Sequence, residues 1–347
     1  MKRITFLYSE LAGYLFACFE MAAKDASLTV VHWPVNEEAP FSIPQIENVT
    51  FHSKDRLDID EMESIVGESV PQLLLVSGWL DKDYLRLARS YAKKIPTVIL
   101  FDTQWTGSFK QRVMSIGGSG FIKSRFSHAW VAGEAQKKYA MKIGFDASKV
   151  MTGFYSADVQ HFNDIYKERS AHISGDFPRR LLYVGRYVEQ KNIDMLCSAF
   201  IEANEATGRQ WSLRCIGTGE LFDQRIENEC IEHVGFVQPK DLLQYLLDSG
   251  VFVLPSLFEP WGVAVHEMAC AGFPLLLSDK IGAGELFLKE GHNGWKFSAS
   301  SKKDFVDGLK RLMSMEDIEL LEFSKESHRQ GQQLSPSQWA GRLLGIS

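Results

Sequence analysis

The chain has 347 residues, of which 45% are hydrophobic and 24% charged, so it is long enough for roughly two globular domains and too apolar to be disordered. Its net charge of −6 argues against a nucleic-acid partner. The first apolar run is broken by Glu10, too early for a signal peptide or a membrane span, and we expect a cytoplasmic protein.

Short runs rich in β-branched and aromatic residues alternate with stretches of helical period. In chain order the first series is ITFLYS, then a helix from about Gly13, then LTVVHW, VTFHS, QLLLVSG, PTVILFD and HAWVAG. A second series follows the polar segment 163–180 and reads LLYVG, SLRCIG, EHVGF, VFVLPS and PLLLS. This alternation predicts an α/β fold with two doubly wound lobes of parallel strands joined by helices, with the break near residues 155–175.

The predicted boundaries are 1–160 for the first lobe, 175–325 for the second, and 326–347 for a C-terminal helical segment. In that last segment Trp339, Leu343 and Leu344 stand at helical spacing after Pro336, so a final helix could pack on either lobe. Ligands of doubly wound sheets bind beyond the carboxyl ends of the strands, and a cleft between two lobes is the default site.

The cysteines lie scattered in apolar stretches and none shows CxxC spacing, which favours buried free thiols over a metal or redox site.

One segment, residues 257–279, pairs two carboxylates across a strand-to-helix loop. Glu259 is expected in the loop and Glu267 in the first turns of the following helix. Amides near Gly262 and Val263 would then face an anion, because a helix N-terminus has unpaired N–H groups and a positive dipole end. The alternative is that both carboxylates only stabilise the helix start or face solvent.

Two further strand-to-helix turns have residues suited to binding an anionic ligand. Arg186 follows a strand that ends at Gly185, and Lys191 stands where the next helix begins, so both cations could neutralise a diphosphate unless they are solvated surface charges. In CIGTGE, Gly217 and Gly219 follow a strand and would permit close backbone approach to a ligand.

The order VGR…K, IGTGE, HVGFV, FEPWGVAVHEM and IGAGELF…GHNGW over residues 180–315 resembles the donor-binding lobe of retaining glycosyltransferases of family GT4, glycosyltransferase group 1. The resemblance implies a GT-B fold, with two Rossmann-like lobes facing a central cleft and a C-terminal helix that crosses back to the first lobe. It also implies a nucleotide-sugar donor, with a UDP- or GDP-sugar expected, and no cofactor.

Carried over to this chain, the resemblance implies catalytic roles for Arg186 and Lys191 on the donor diphosphate and for Glu259 on the transferred sugar. Glu267 would hold the ribose hydroxyls, and Phe236 and Val237 would line the base. The remaining donor-binding positions that it implies are Gly13, Gly185, Gly217, Gly219, Gly262 and Val263. Glu285 stands where the family has a glutamate in its glycine-rich loop, with a structural or supporting role.

The first lobe departs from the family pattern. Only Gly13 matches the glycine-rich loop after the first strand, and the loop FDTQW has Asp102 and Gln104 where many members have a histidine. His128 precedes a strand and is expected to be structural. Asp158 matches the linker between the lobes of the family.

Two acidic triplets, 58–60 and 81–83, have the DxD pattern of a metal–nucleotide site, but the cations at 186 and 191 already supply the charge that a metal would, so no metal is expected. The resemblance implies transfer of a sugar with retention of configuration, in polysaccharide or glycoconjugate synthesis. The open alternatives are an inverting transferase, an epimerase and a non-catalytic two-lobed binding protein.

The stretch from Lys82 to Lys149 holds thirteen Lys and Arg residues against four Asp and Glu. It would attract a lipid-linked acceptor or the anionic inner face of the membrane, unless it is a solvated surface. The expected partners are therefore a nucleotide sugar and a carbohydrate or lipid-linked acceptor, with a peripheral membrane contact.

Overall fold

The computed structural model describes residues 1–35, 41–173, 176–208, 211–238 and 241–347. The chain divides into two compact units. Unit 1 comprises Met1–Asp158 and Leu334–Ser347, and unit 2 comprises Val159–Gln333.

Unit 1 is built on a seven-stranded sheet in the order β3-β2-β1-β4-β5-β6-β7, in which every neighbouring pair is parallel. Its strands are β1 Lys2–Tyr8, β2 Ala26–His32, β3 Val49–Ser53, β4 Leu73–Ser77, β5 Thr97–Phe101, β6 His128–Val131 and β7 Val150–Met151. The central strands are almost continuous apolar runs, as expected for a parallel sheet covered on both faces.

The helices of unit 1 are α1 Tyr14–Ala22, α2 Ile59–Glu68, α3 Lys82–Tyr91, α4 Phe109–Gly117, α5 Ser119–Lys123, α6 Glu134–Lys142 and α14 Pro336–Leu344. The last of them returns from the end of the chain and packs against α1. Trp339 of α14 is fully buried, and its indole N–H donates to the carbonyl of Phe154 at 2.7 Å. The predicted C-terminal helix therefore completes the core of the first lobe.

Unit 2 has a six-stranded parallel sheet in the order β10-β9-β8-β11-β12-β13. Its strands are β8 Arg180–Val184, β9 Ser212–Ile216, β10 Ile231–Val234, β11 Val251–Leu254, β12 Leu275–Ser278 and β13 Gly294–Phe297. Its helices are α7 Val159–His172, α8 Ile193–Thr207, α9 Leu243–Leu247, α10 Val263–Cys270, α11 Gly284–Phe287, α12 Lys302–Met313 and α13 Asp317–Gly331.

The boundaries in the structure differ in detail from the predicted ones. The predicted bounds left residues 161–172 between the two lobes. In the structure these residues belong to α7, whose Phe162, Ile165 and Arg169 are buried in unit 2. Arg169 donates to the carbonyls of Leu246, Ala271 and Ser249, so this helix with a polar sequence is fixed by a buried guanidinium. The predicted C-terminal segment starts inside α13, and the chain joins unit 1 again only at Leu334.

The predicted fold class, two doubly wound α/β lobes, is confirmed. All five cysteines are free thiols, four of them buried. Within the described ranges no helix is both long and apolar enough to cross a membrane.

Candidate functional site

The sequence motifs of unit 2 all lie at one edge of its sheet. The turns after β10, β9, β8, β11 and β12 follow one another in the strand order, and all five are at carboxyl ends. The connection reverses direction between β8 and β11, which is the switch point at which doubly wound sheets bind ligands. Lys191 follows β8 and Glu259 follows β11, so the two residues flank this point.

Lys191 and Glu259 form an ion pair between the Lys191 Nζ and the Glu259 Oε2 atoms. Their side chains are only 17% and 15% exposed, so the pair is shielded from most of the solvent. The Ser256 hydroxyl also donates to Glu259 Oε2, at 3.4 Å. Two residues predicted to bind adjacent parts of one donor therefore meet at a single point.

The loops that carry this pair are held to each other by two further bonds. The Leu257 amide donates to the carbonyl of Gln190 at 2.8 Å, and the Gln190 side chain donates to the carbonyl of Phe258 at 2.6 Å. The amide of Glu259 donates to the carbonyl of Lys280 at 3.1 Å. These bonds fix the position of the Glu259 carboxylate relative to Lys191.

Helix α10 begins beside the pair. Gly262 is its N-cap with a φ of 93°, a conformation that favours glycine, and an added Cβ would stand 3.0 Å from the Cγ of Glu259. The first amides of a helix have no intrahelical acceptor, which makes this terminus a position for an anion. Glu267 lies one turn after Val263 and thus on the same face, while Val265 and Met268 are buried on another.

The glycines of the turn after β9 are required by close backbone contacts that the sequence did not reveal. Gly217 has a φ of 138°, and a Cβ there would stand 2.0 Å from the carbonyl oxygen of Gly185. At Gly219 a Cβ would stand 2.5 Å from the carbonyl oxygen of Tyr187. The close approach that these glycines permit is to the backbone of the β8 turn, so they position Arg186 and its neighbours whether or not a ligand also approaches.

Arg186 itself is exposed, and its carbonyl accepts a hydrogen bond of 2.8 Å from the Tyr183 hydroxyl. Tyr187 is buried beside it and contacts His233 Nδ1 at 2.8 Å. Burial raises the pKa of both tyrosines, so they remain neutral at physiological pH. These two tyrosines support the turn and were not singled out from the sequence.

The other predicted residues of unit 2 occupy the outer turns. Phe236 is 43% exposed after the edge strand β10, and Val237 is half-buried beside it. Glu285 is exposed in the first turn of α11 after β12. Both positions are at the same carboxyl edge as the ion pair.

The two acidic triplets have structural roles in unit 1. Asp58 is the N-cap of α2 in a capping box with Glu61. Asp81 is the N-cap of α3, accepts from the Trp33 indole at 2.7 Å, and shares Lys54 with Asp83. Over the described part of the chain, no group of three or more potential ligands is placed to hold a metal.

In unit 1 the carboxyl edge of the sheet carries Gly13, at the start of α1, with open space where a Cβ would stand. Asp102 follows β5 and accepts a hydrogen bond of 3.3 Å from the Tyr155 hydroxyl. His128 is buried, and its Nδ1 and Nε2 atoms lie 2.8 Å from the Ser127 hydroxyl and 3.1 Å from the Lys149 Nζ atom. These contacts indicate a structural role. The Asp158 carboxylate contributes to raising the pKa of the Cys18 thiol, after burial itself.

Residues 164–332 match the family model described as Glycosyl transferases group 1, and this range contains the whole carboxyl edge of unit 2. These residues form a group 1 glycosyltransferase domain. The resemblance of residues 180–315 to glycosyltransferase group 1 is thereby confirmed.

Curated relatives match over parts of this chain. An uncharacterised glycosyltransferase of Methanocaldococcus jannaschii is 29% identical over 147 residues, which cover 40% of this chain and 37% of the relative. The amylovoran biosynthesis glycosyltransferase AmsK of Erwinia amylovora is 29% identical over 132 residues, 34% of this chain and 32% of the relative. The chain thus spans between 32 and 37% of the length of these two relatives.

The likeness to solved structures extends beyond the group 1 domain to both units. The structure of Anabaena HepE in complex with UDP and glucose matches with a TM-score of 0.71 at 14% identity, covering 99% of this chain and 98% of that one. At this identity the likeness shows the fold alone.

Proposed function

We propose that this chain is a hexosyltransferase that moves a sugar from a nucleotide-sugar donor to an acceptor hydroxyl, with retention of configuration and without a metal. The observation that carries the proposal is the Lys191–Glu259 pair at the switch point, next to the N-terminus of α10. A donor diphosphate placed there would meet a cation and a helix terminus, and its sugar would meet a carboxylate.

The departure of the diphosphate is the step at which the protein must stabilise developing charge. When the bond from the anomeric carbon to the phosphate oxygen breaks, the electron pair leaves with the diphosphate and positive charge develops on the sugar. Lys191, Arg186 and the first amides of α10 would stabilise the leaving group. The acceptor oxygen would form its bond on the same face and pass its proton to the departing phosphate.

Positive side chains would supply the charge compensation that a metal gives to other transferases. Lys191 is already held in place by Glu259, so little reorganisation is needed when the diphosphate arrives. In the proposed complex the phosphate oxygens share Lys191 with Glu259, whose other oxygen can accept from a sugar hydroxyl.

Glu267 is proposed to hold the ribose, because it lies one turn along α10 from the phosphate-binding terminus. Phe236 and Val237 are proposed to line the base. A UDP-sugar is the preferred donor, with a GDP-sugar as the alternative, since HepE has the same fold and its structure contains UDP. The name of AmsK supports polysaccharide synthesis as the setting.

The test begins with thermal unfolding in the presence of UDP-, GDP- and ADP-sugars, because a ligand bound by the native state alone raises the melting temperature. The stabilising donor is then incubated with sugar and lipid-linked acceptors in the presence of EDTA, and NMR assigns the anomeric configuration of the product. We expect transfer in EDTA and a retained configuration. An inverted product, or loss of transfer in EDTA that a divalent metal restores, would contradict the proposed mechanism.

A further inference from the structure

Asn192 follows Lys191 and has a backbone conformation that is rare outside glycine. Its φ and ψ are 56° and 39°, in the left-handed helical region. It closes the short 3₁₀ turn Glu189–Lys191 and is also the N-cap of α8. Asparagine is one of the few residues that tolerate this region. The backbone of Asn192 therefore sets the angle between the turn that carries Lys191 and the helix that follows.

Backbone hydrogen bonds fix this junction on both sides. The amide of Asn192 donates to the carbonyl of Glu189 at 3.0 Å, and its carbonyl accepts from the amide of Leu196 at 3.2 Å. The amide of Lys191 donates to the carbonyl of Val188 at 2.9 Å. A change in the conformation of Asn192 would break this pattern and move the backbone of Lys191.

The side chain of Asn192 does not cap its own helix. An asparagine at an N-cap usually accepts a hydrogen bond from one of the first amides of the helix, but Asn192 makes no such bond to a described residue. Instead, its Nδ2 atom donates to the carbonyl of Pro255 at 3.3 Å. Pro255 is buried at the start of the loop that follows β11 and leads to Glu259. The side chain thus joins the two loops whose charged residues form the ion pair.

Lys191 is therefore held through both of its neighbours in the chain. Gln190 on one side is bonded to the loop after β11, as described above, and Asn192 on the other side is bonded to Pro255 of the same loop. Because a lysine side chain is long and flexible, the position of its Nζ atom depends on a fixed backbone. These flanking bonds keep the backbone of Lys191 at a constant distance from the loop of Glu259.

We propose that Asn192 is a positioning residue for the sugar transfer, which holds Lys191 in place through its left-handed backbone and its bond to Pro255. The inference rests on the proposed binding of the donor diphosphate by Lys191. Asn192 acts through Lys191 and need not touch the donor. Displacing a group of a catalytic site by about 1 Å can lower the rate about 10²-fold, so the proposed transfer depends on the placement of Lys191.

Two substitutions separate the backbone of Asn192 from its side chain. Asn192→Gly keeps the left-handed backbone and removes the bond to Pro255, whereas Asn192→Ala removes the bond and also disfavours the backbone conformation. We expect the Kd for UDP to rise about threefold in Asn192→Gly and about tenfold in Asn192→Ala, since each lost restraint lets Lys191 move. The kcat for transfer should fall in the same order, because Lys191 stabilises charge that grows as the bond from sugar to phosphate breaks. Calorimetry and steady-state kinetics measure the two quantities.

A double-mutant cycle with Lys191→Ala distinguishes positioning from a general role in the fold. If Asn192 acts through Lys191, adding Asn192→Ala to Lys191→Ala should change the Kd for UDP by less than about twofold, because no lysine is left to place. A general effect on the shape of the site would give the same loss of UDP binding in both backgrounds. Asn192→Gly, which keeps the backbone conformation, gives the same comparison if Asn192→Ala does not fold.

Asn48 of unit 1 is a matched control. It also has a left-handed backbone, with a φ of 62°, and its Nδ2 atom donates to the carbonyl of Ala23 at 3.2 Å. Asn48→Gly and Asn48→Ala therefore remove the same kind of bond and disturb the same kind of backbone at a distant position in the chain. Both should leave the Kd for UDP and the kcat unchanged.

The reactivity of the Lys191 amine gives a readout that needs no donor. Brief acetylation with N-hydroxysuccinimidyl acetate, followed by peptide mass spectrometry, measures the rate of modification of each lysine. In the parent the Lys191 side chain is ion-paired and 17% exposed, whereas that of Lys302 is 48% exposed and serves as the internal reference. The rate of Lys191 relative to Lys302 should rise several-fold in Asn192→Ala and stay unchanged in Asn48→Ala.

The inference and the proposed function fail in different ways. A parent chain that binds no UDP would contradict the proposed function, and the amine reactivity would still test whether Asn192 places Lys191. The role of Asn192 is overturned if Asn192→Ala leaves both UDP binding and the reactivity of Lys191 as in the parent. It is equally overturned if the effect of Asn192→Ala on UDP binding persists undiminished in Lys191→Ala.

Discussion

Lys191 and Glu259 are 68 positions apart in the chain and meet because β8 and β11 are neighbours in the sheet. Each residue could be singled out from its own loop, Lys191 as a cation after a strand and Glu259 as a carboxylate before a helix. Their direct contact could not be predicted from the sequence, because it depends on the order of the strands in the sheet. Ser256 and Gln190, which hold Glu259 and its loop, carried no motif and were missed for the same reason.

Replacing Glu259 with Gln should separate sugar handling from diphosphate binding. We expect kcat/KM for transfer to fall by about 10²-fold, because an amide is a weaker acceptor for sugar hydroxyls in the transition state. The Kd for UDP should change only a few-fold, since Lys191 remains. Steady-state kinetics and calorimetry measure the two effects.

The control is Glu205→Gln, which changes the same functional group at an exposed position of α8. It should leave both quantities unchanged. If Glu259→Gln lost UDP binding but kept unaltered turnover, Glu259 would act in diphosphate binding and not on the sugar, contrary to the proposal.

Asp81 gives a pH-dependent prediction in unit 1. Burial raises the pKa of this carboxyl, but the hydrogen bonds from Lys54, Trp33 and Tyr84 outweigh burial and leave the pKa below its usual range. The carboxylate therefore contributes stability above the unfolded pKa of about 4, and this contribution disappears as the pH falls through the folded pKa. Asp81→Asn should lower stability by about 1–3 kcal/mol at pH 7 and by progressively less below about pH 4.

Thermal unfolding of Asp81→Asn and of the exposed control Asp25→Asn between neutral and acid pH measures this effect. A deficit for Asp81→Asn that stays constant down to the acid end would show that the charge of Asp81 does not stabilise the fold.

At the scale of elements, periodicity identified the strands well because buried parallel strands are short, continuous apolar runs bounded by turns. It was less informative for α7, which has a polar sequence and is fixed by the buried Arg169. In α4 the spacing of Phe109, Val113 and Ile116 is that of a core-facing stripe, yet Gln111 faces inward. Helical spacing shows which residues share a face but not which face is buried.

The β8 and β9 turns act as one element, because Gly217 lies against the backbone of Gly185. Gly217→Ala should destabilise unit 2 by more than about 2 kcal/mol and weaken UDP binding, since a Cβ would displace the turn that carries Arg186. Thermal unfolding and calorimetry measure the two effects.

Gly208→Ala is the matched control. Gly208 also has a positive φ, of 58°, but nothing lies within 4 Å of the added Cβ. It should cost only about 1 kcal/mol of backbone strain and leave UDP binding intact. Equal losses for the two variants would mean that the contact with Gly185 is unimportant.

At the scale of the whole molecule, the chain leaves unit 1 at Asp158 and returns to it at Leu334, so the first lobe is complete only with its last helix. The pattern after Pro336 predicted this helix, but helical spacing alone left open which lobe it covers. Trp339 decides it, because it stacks on Phe6 and lies against Trp130, with ring centroids 6.2 and 5.0 Å away.

Trp339→Ala should therefore destabilise unit 1 by about 3–5 kcal/mol, the usual cost of emptying a large buried site. For a unit of this size the melting temperature should fall by roughly 10 °C. Phe109→Ala, at a position that is 82% exposed, is the control and should melt like the parent. A shift below about 1 °C for Trp339→Ala would contradict the role of α14 in the core.

The central claim is that the diphosphate of a nucleotide sugar lies on Lys191 at the carboxyl edge of the group 1 domain. Calorimetric titration of UDP into the parent, Lys191→Ala and the exposed control Lys302→Ala tests it most directly. We predict that Lys191→Ala weakens UDP binding at least about tenfold, the loss expected for one charge-assisted contact, and that Lys302→Ala binds like the parent. UDP binding of equal strength in Lys191→Ala and the parent would contradict the claim.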